Sequence, residues 1–136
     1  MKSRSESLIR LKKFQVDEKR RQVAQIEMMV NDFQRMAAEL DQQIEIEQTK
    51  TGISDVAHFA YSTFAKAALA RRDNLLASAH DMREKLEAAQ DALAEAIEDM
   101  KKIELLDQRE NQREAQEQAK VEQSEYDEMG RLRHRR

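Results

Sequence analysis

The residues able to do acid–base or metal chemistry are few and scattered. There are three histidines, His58, His80 and His134, and no two of them lie four residues apart, as an HExxH zinc site would require. His80 with Asp81 and Glu84 has the donor types of a metal site, but solvated side chains explain this cluster more simply. There is no cysteine, no glycine-rich phosphate loop and no nucleophile elbow. We therefore predict no catalytic residue, no metal site, no cofactor and no enzymatic activity.

Basic side chains near both termini are the other candidates for chemistry. The final RLRHRR is able to contact phosphates. No aromatic residue is interleaved with it and an acidic block precedes it, so we expect a solvated tail and no nucleic-acid binding. Near the start, an acidic protein surface could bind Arg10, Lys12, Lys13 and Arg20. We take these four as candidate partner-binding residues.

The composition predicts how these side chains are positioned. Charged residues make up 38% of the chain and aromatic residues 4%, which is typical of a long helix or coiled coil, with disorder as the competing class. No apolar run is long enough for a signal peptide or a membrane span. We expect a cytoplasmic protein without membrane insertion.

Heptad periodicity favours the coiled coil over disorder. The first seam has position a at Ile9 and runs to Glu47; all six of its a sites are apolar and three of its six d sites are. A second seam alternates spacings of four and three without a miss. Its members are Leu75, Ala79, Met82, Leu86, Ala89, Leu93, Ala96, Met100 and Ile103.

The stretch TKTGISDVAHFAY, residues 49–61, lies between the two seams. Gly52 can take the left-handed conformation that ends a helix, Ser54 is a good N-cap, and Asp55 suits a first helical turn. We predict one all-α domain, 1–136: a long antiparallel two-helix coiled-coil hairpin with the second helix overhanging the first. The predicted ranges are helix 1 at about 3–49, the tip at about 50–54, helix 2 at about 55–129 and a basic tail at 130–136.

Folding at Gly52 would set Ile44 near Ala60 and Val30 near Leu75, and would leave everything beyond about Met100 without a partner helix. That overhanging segment, from about Asp107 onward, is expected to fray in the free protein. The rival arrangement is a parallel homodimer of one continuous helix, which explains the heptads but leaves the capping signals without a role.

Aromatic residues crowd just after the break. Phe59, Tyr61 and Phe64 are three of only six aromatics in the chain. They could close the end of the hairpin as an apolar plug, or stay partly exposed as a docking patch. The two roles are compatible, and we take all three as candidate partner-binding residues.

Two segments resemble a known family. SLIRLKKFQVDEKRRQVAQIE, residues 7–27, and GISDVAHFAYSTFAKAALARRDNL, residues 52–75, are similar to the FliJ family of flagellar export proteins, particularly its alphaproteobacterial members. The resemblance implies a stalk or adaptor of the flagellar type III export apparatus, peripheral to the inner-membrane export gate. It implies three partners, which are the hexameric export ATPase, the cytoplasmic domain of the gate and the export chaperones. The alternative is a structural homodimeric coiled-coil scaffold.

Overall fold

The computed structural model describes residues 2–134, with side chains from residue 4 onward. Helix α1, Lys2–Thr51, and helix α2, Thr63–His134, are joined by residues 52–62, which we name the tip loop. The prediction of an all-α helical hairpin is confirmed. The chain divides into two compact units, the loop unit Asp17–Glu95 and a terminal unit that contains the residues up to Val16 and those from Ala96 onward. The assignment of the whole chain to one domain stays a prediction.

Helix α1 ends at the glycine that the sequence indicated. Gly52 has φ of 72°, and its backbone N–H donates to the carbonyl of Gln48 at 2.8 Å. That conformation turns the chain out of the helix at no steric cost only for a residue without Cβ. Lys50 lies in the last turn, where a positive charge suits the helix dipole. The helix therefore stops at Thr51, two residues beyond the predicted end.

The predicted start of the second helix was wrong. Helix α2 begins at Thr63, eight residues later than predicted, and its N-cap is Ser62 instead of Ser54. The Ser62 hydroxyl accepts the backbone N–H of Ala65 at 3.2 Å, which satisfies one of the donors that a helix start leaves free. The tip loop is therefore longer than the predicted tip. At the other end α2 continues through Gly130 to His134, so most of the predicted basic tail is helical.

The first seam is buried along the predicted positions. From Ile9 to Glu47, every a and d residue of α1 is buried or half-buried, including the polar Lys12, Lys19 and Glu47. Val16, Val30 and Ile44 are almost fully buried. Burying an aliphatic side chain of this size contributes about 1.5–3 kcal/mol. A long polar side chain at such a position can cover the seam with its stem while its charged end stays near water.

The second seam is longer than predicted. All nine predicted residues are buried or half-buried, and the same spacing continues back through Ala68 and Ala65 to Tyr61 and forward to Glu110. Beyond Glu110, every residue from 111 to 134 is exposed. Half-burial thus continues about three helical turns, at 3.6 residues per turn, beyond Met100, where α2 was expected to have no partner helix.

Contacts near the tip loop fix which residues oppose each other. In the loop unit, Arg72 Nη1 lies 2.8 Å from Asp41 Oδ1, and the side-chain amide of Gln48 donates to the Tyr61 hydroxyl at 2.9 Å. By helical geometry these contacts place Ile44 level with Ala68. The predicted pairing of Ile44 with Ala60 was wrong by eight residues, because the tip loop is longer than the turn that the sequence indicated.

Candidate partner-binding surfaces

Local hydrogen bonds give the tip loop a defined backbone. The Asp55 carboxylate accepts the Ala57 N–H at 3.0 Å, and the Asp55 carbonyl accepts the His58 N–H at 3.1 Å. His58 then accepts twice, through Nδ1 from the Ala60 N–H and through its carbonyl from the Tyr61 N–H, each at 3.0 Å. These are consecutive turns of the kind that Asp and similar short polar residues favour. Asp55 therefore starts the turns of the loop and does not belong to a helix.

The three aromatic candidates have different environments. Tyr61 is 9% exposed, whereas Phe59 is 97% exposed and Phe64 is more than half exposed. The Phe59 ring stacks on the His58 imidazole, with ring centroids 4.7 Å apart and an interplanar angle of 22°. Tyr61 therefore has the position of the plug. Phe59, Phe64 and Val56 are apolar side chains that the hairpin leaves exposed near the tip loop.

Two side chains of α1 tie the loop to the helix before it. Glu47 Oε1 accepts a hydrogen bond from the Ser62 hydroxyl at 3.0 Å, and Gln48 holds the Tyr61 hydroxyl. Ser62 thus joins the start of α2 to α1 while it also caps α2. From the sequence, Glu47 was only the last and polar d site of the first seam, and the structure gives it a partner at the point where the loop returns to the helix.

The basic candidates lie along α1. Arg10, Lys12 and Lys13 belong to the terminal unit, and Arg20 belongs to the loop unit. Arg10, Lys13 and Arg20 are exposed, whereas Lys12 is half-buried in the seam. Arg10 and Lys13 are three residues apart and therefore neighbours on the helix surface. Their role in binding stays a prediction.

Two apolar ridges of the terminal unit were not identified from the sequence. Leu8, Leu11 and Phe14 are exposed on α1, and Tyr126, Met129 and Leu132 are exposed on α2. Both sets have a spacing of three residues, which forms an oblique row on a helix. The heptad search did not find them because neither set lies on a seam. A search for apolar residues at three-residue spacing in the flanks would have found both.

A charged residue occupies the second seam near the tip loop. Arg72 is half-buried and bonds Asp41 of α1 and its own neighbour Asp73, whose Oδ1 lies 3.1 Å from Nη2. The hydrogen bond to Asp41, and after it the bond to Asp73, raises the pKa of Arg72 above its ordinary value, against the lowering effect of desolvation. Arg72 is therefore charged at any working pH and joins the two helices as a cation.

The cluster around His80 is an ordinary pair of side chains on a helix surface. His80 Nε2 lies 3.5 Å from Glu84 Oε1 on an exposed helix face, as an ordinary i,i+4 pair. Among the described residues, no group of three or more His, Asp or Glu side chains could hold a metal ion. No described helix is both long enough and apolar enough to cross a membrane.

Comparison with known proteins identifies one family. The family model of the flagellar FliJ protein matches residues 1–136, the whole chain. No curated protein and no solved structure matches the chain significantly.

Proposed function

Because the chain belongs to the FliJ family of flagellar export proteins, we propose that it is a non-catalytic stalk that couples the flagellar export ATPase to the export gate and assists export chaperones. Its place would be the cytoplasmic face of the inner membrane, beside the gate. The observation that carries the proposal is the family match over the full length. The hairpin supports it, since both of its helices and its tip loop expose apolar or basic side chains that other proteins can contact.

The terminal unit supports binding to the ATPase. Residues 111–134 of α2 are exposed throughout and carry the ridge of Tyr126, Met129 and Leu132. An isolated helical segment with such a ridge gains by inserting into a partner, because docking buries apolar side chains that water otherwise surrounds. The exposed charges of Arg10 and Lys13 would add electrostatic attraction to an acidic partner surface.

The tip loop supports a second contact, to the gate. Phe59 is held out on a hydrogen-bonded loop and is almost fully exposed. An aromatic ring presented on a defined backbone is a good anchor for a protein interface, because little conformational entropy is lost on binding. We propose Phe59 and Phe64 as the contacts, with Tyr61 supporting the loop from inside.

The homodimeric scaffold is less well supported. Both seams of the loop unit are already covered by the partner helix of the same chain, as the burial of Val30, Ala37 and Ala79 indicates. A parallel dimer of continuous helices would need these same faces. Mass measurement in solution at several concentrations distinguishes the two, and a stable dimer at micromolar concentration would favour the scaffold.

The direct experiment measures binding to the cognate ATPase and to the cytoplasmic domain of the gate by calorimetry. One variant ends after Glu110, the last half-buried residue of α2, and another makes Arg10, Lys12, Lys13 and Arg20 neutral. We expect both to weaken ATPase binding and to leave gate binding intact. Phe59→Ser should do the reverse.

Met28→Ser is the matched control, because Met28 is 65% exposed, lies in the loop unit on α1, and belongs to neither surface. Attraction between exposed charges should fall as added salt screens them over roughly 8 Å at physiological ionic strength. Unchanged ATPase binding by both terminal variants at every salt concentration would contradict the proposed role of the terminal unit.

A further inference from the structure

The two seams of the loop unit repeat with a period of seven residues, so a shift of seven again brings seam positions level with each other. In the observed register, the contacts of Asp41 with Arg72 and of Gln48 with Tyr61 place Val30 level with Met82. A shift of one heptad would place Val30 level with Leu75, another seam residue. The heptad spacing alone does not separate these two registers.

The tip loop contains start signals for both registers. In the structure α2 begins after Ser62, whose hydroxyl accepts the N–H of Ala65. Eight residues earlier, Ser54 and Asp55 offer a second N-cap and an acidic first turn. If α2 began there, His58 and Tyr61 would fall at seam positions, because the spacings from 58 to 61, 65 and 68 are three, four and three.

The observed register is selected by packing and by polar contacts near the loop. It sets the small Ala37 level with Leu75 and the small Ala79 level with Phe33, so large and small residues alternate across the seam. The shifted register would set Ala37 against Ala68, and Phe33 against the charged Arg72. Three polar contacts also hold the observed register: Asp41 with Arg72, Glu47 with Ser62, and Gln48 with Tyr61.

We propose that the loop unit is a two-register coiled coil, in which α2 moves one heptad along α1, away from the tip loop, when the Asp41–Arg72 contact is lost and the helix restarts at Ser54. The movement is about 10 Å, at 1.5 Å of rise per residue. The tip loop supplies the added length, because residues 55–62 would join α2 as about two further turns. This device is independent of the proposed function, since it follows from the seams and caps alone.

The absence of native cysteine makes the distance directly measurable with two introduced cysteines. Glu18 and Ala70 are exposed residues of the loop unit, and the substitutions Glu18→Cys and Ala70→Cys allow spin labelling there. Pulsed electron–electron double resonance then measures the distance between the two labels. Their separation along the helix axis is ~36 Å in the observed register and ~26 Å in the shifted one, from the rise per residue. The two registers therefore give separate peaks.

The test compares the loss of a contact between the two helices with the loss of a contact within α2. Asp41→Asn removes the carboxylate that Arg72 contacts across the hairpin, and Ser62→Ala removes the observed cap. Together they should bring the shorter distance to on the order of a tenth of the labelled pairs or more. Asp73→Asn is the matched control, because Asp73 contacts Arg72 from the same helix in either register.

Adding Ser54→Ala to the double variant should remove the shorter distance, since it deletes the alternative cap. These substitutions are at exposed or half-buried sites, so helicity is checked by circular dichroism in each labelled protein. A single peak at the longer distance in the folded Asp41→Asn, Ser62→Ala protein would overturn the proposal. A broad distribution without the shorter peak, or the same response to Asp73→Asn, would also overturn it.

Discussion

Substitutions of Tyr61 and Phe59 distinguish a buried aromatic side chain that stabilises the fold from an exposed one that is free to bind a partner. Tyr61 is 9% exposed and its hydroxyl accepts a hydrogen bond from Gln48 at 2.9 Å. A buried tyrosine removes roughly 150 Å² or more from water, which at about 25 cal/mol per Å² contributes about 4 kcal/mol. Tyr61→Ala should therefore lower the free energy of unfolding by about 3–5 kcal/mol, the range measured for buried rings.

The hydroxyl and the exposed ring should matter far less to folding. Tyr61→Phe removes one hydrogen bond, worth about 0.5–1.5 kcal/mol. We expect the low end, because the half-buried amide of Gln48 can turn to water. Phe59→Ala should stay within about 0.5 kcal/mol of the parent, since a 97% exposed ring loses little by truncation.

Urea denaturation followed by circular dichroism at 222 nm measures all three variants, and binding to the gate domain is measured on the same samples. If Tyr61 is the plug, the loss of stability should be largest for Tyr61→Ala, smaller for Tyr61→Phe and smallest for Phe59→Ala. Phe59→Ala alone should lose binding to the gate domain while keeping full stability. A cost above about 1 kcal/mol for Phe59→Ala, outside the range of neutral surface changes, would refute the division of roles between the rings.

Three further predictions concern the helices. Gly52→Ala should lower the free energy of unfolding by about 1–2 kcal/mol in urea denaturation, because a residue with a Cβ is strained at φ of 72°. The added Cβ itself meets open space, so no clash adds to this cost. Gly52→Asn should cost less. Ala79→Leu should cost about 1–3 kcal/mol through overpacking opposite Phe33, and a stability gain would show that the seam has spare room there. Truncation after Glu110 should change the urea midpoint of the remainder little, because residues 111–134 are exposed throughout; a lower midpoint would mean that this segment packs on the rest.

Heptad periodicity predicted much of the buried seams, but not the extension of the second seam through Ala68 and Ala65 to Tyr61. Every a and d position from Ile9 to Glu47 is at least half-buried, and so is each predicted member of the second seam. The positive φ of Gly52 was also predictable, because only glycine ends a helix in this way without steric cost. These features are encoded locally, in spacing and in single residues.

The register and the loop length were not predictable from the same signals. A seven-residue repeat is unchanged by a shift of seven, so the seam does not say which layer of α2 faces Ile44. Ser54 and Ser62 both precede residues able to form a helix. Which of them becomes the N-cap of α2 depends on the ion pair of Arg72 with Asp41 and on the hydrogen bond of Ser62 to Glu47. These contacts join parts of the chain that sequence reading considers separately.

The candidate surfaces were predicted in part. That three aromatics lie at the tip could be read from the sequence, but which ring turns inward depends on the turns that Asp55 and His58 form. The ridges at Leu8, Leu11 and Phe14 and at Tyr126, Met129 and Leu132 were missed because their spacing does not follow a seam.

The hairpin connection also has a consequence for folding kinetics. Residues that oppose each other are 13 apart in sequence at Gln48 and Tyr61, and 31 apart at Asp41 and Arg72. The separation grows with every further layer, and so does the entropy lost when the intervening chain is closed, at about 0.6 kcal/mol per doubling. Pairing should therefore nucleate beside the tip loop and proceed outward along the helices. Substitutions around Tyr61 should then slow refolding, whereas those near Val30 should mainly speed unfolding.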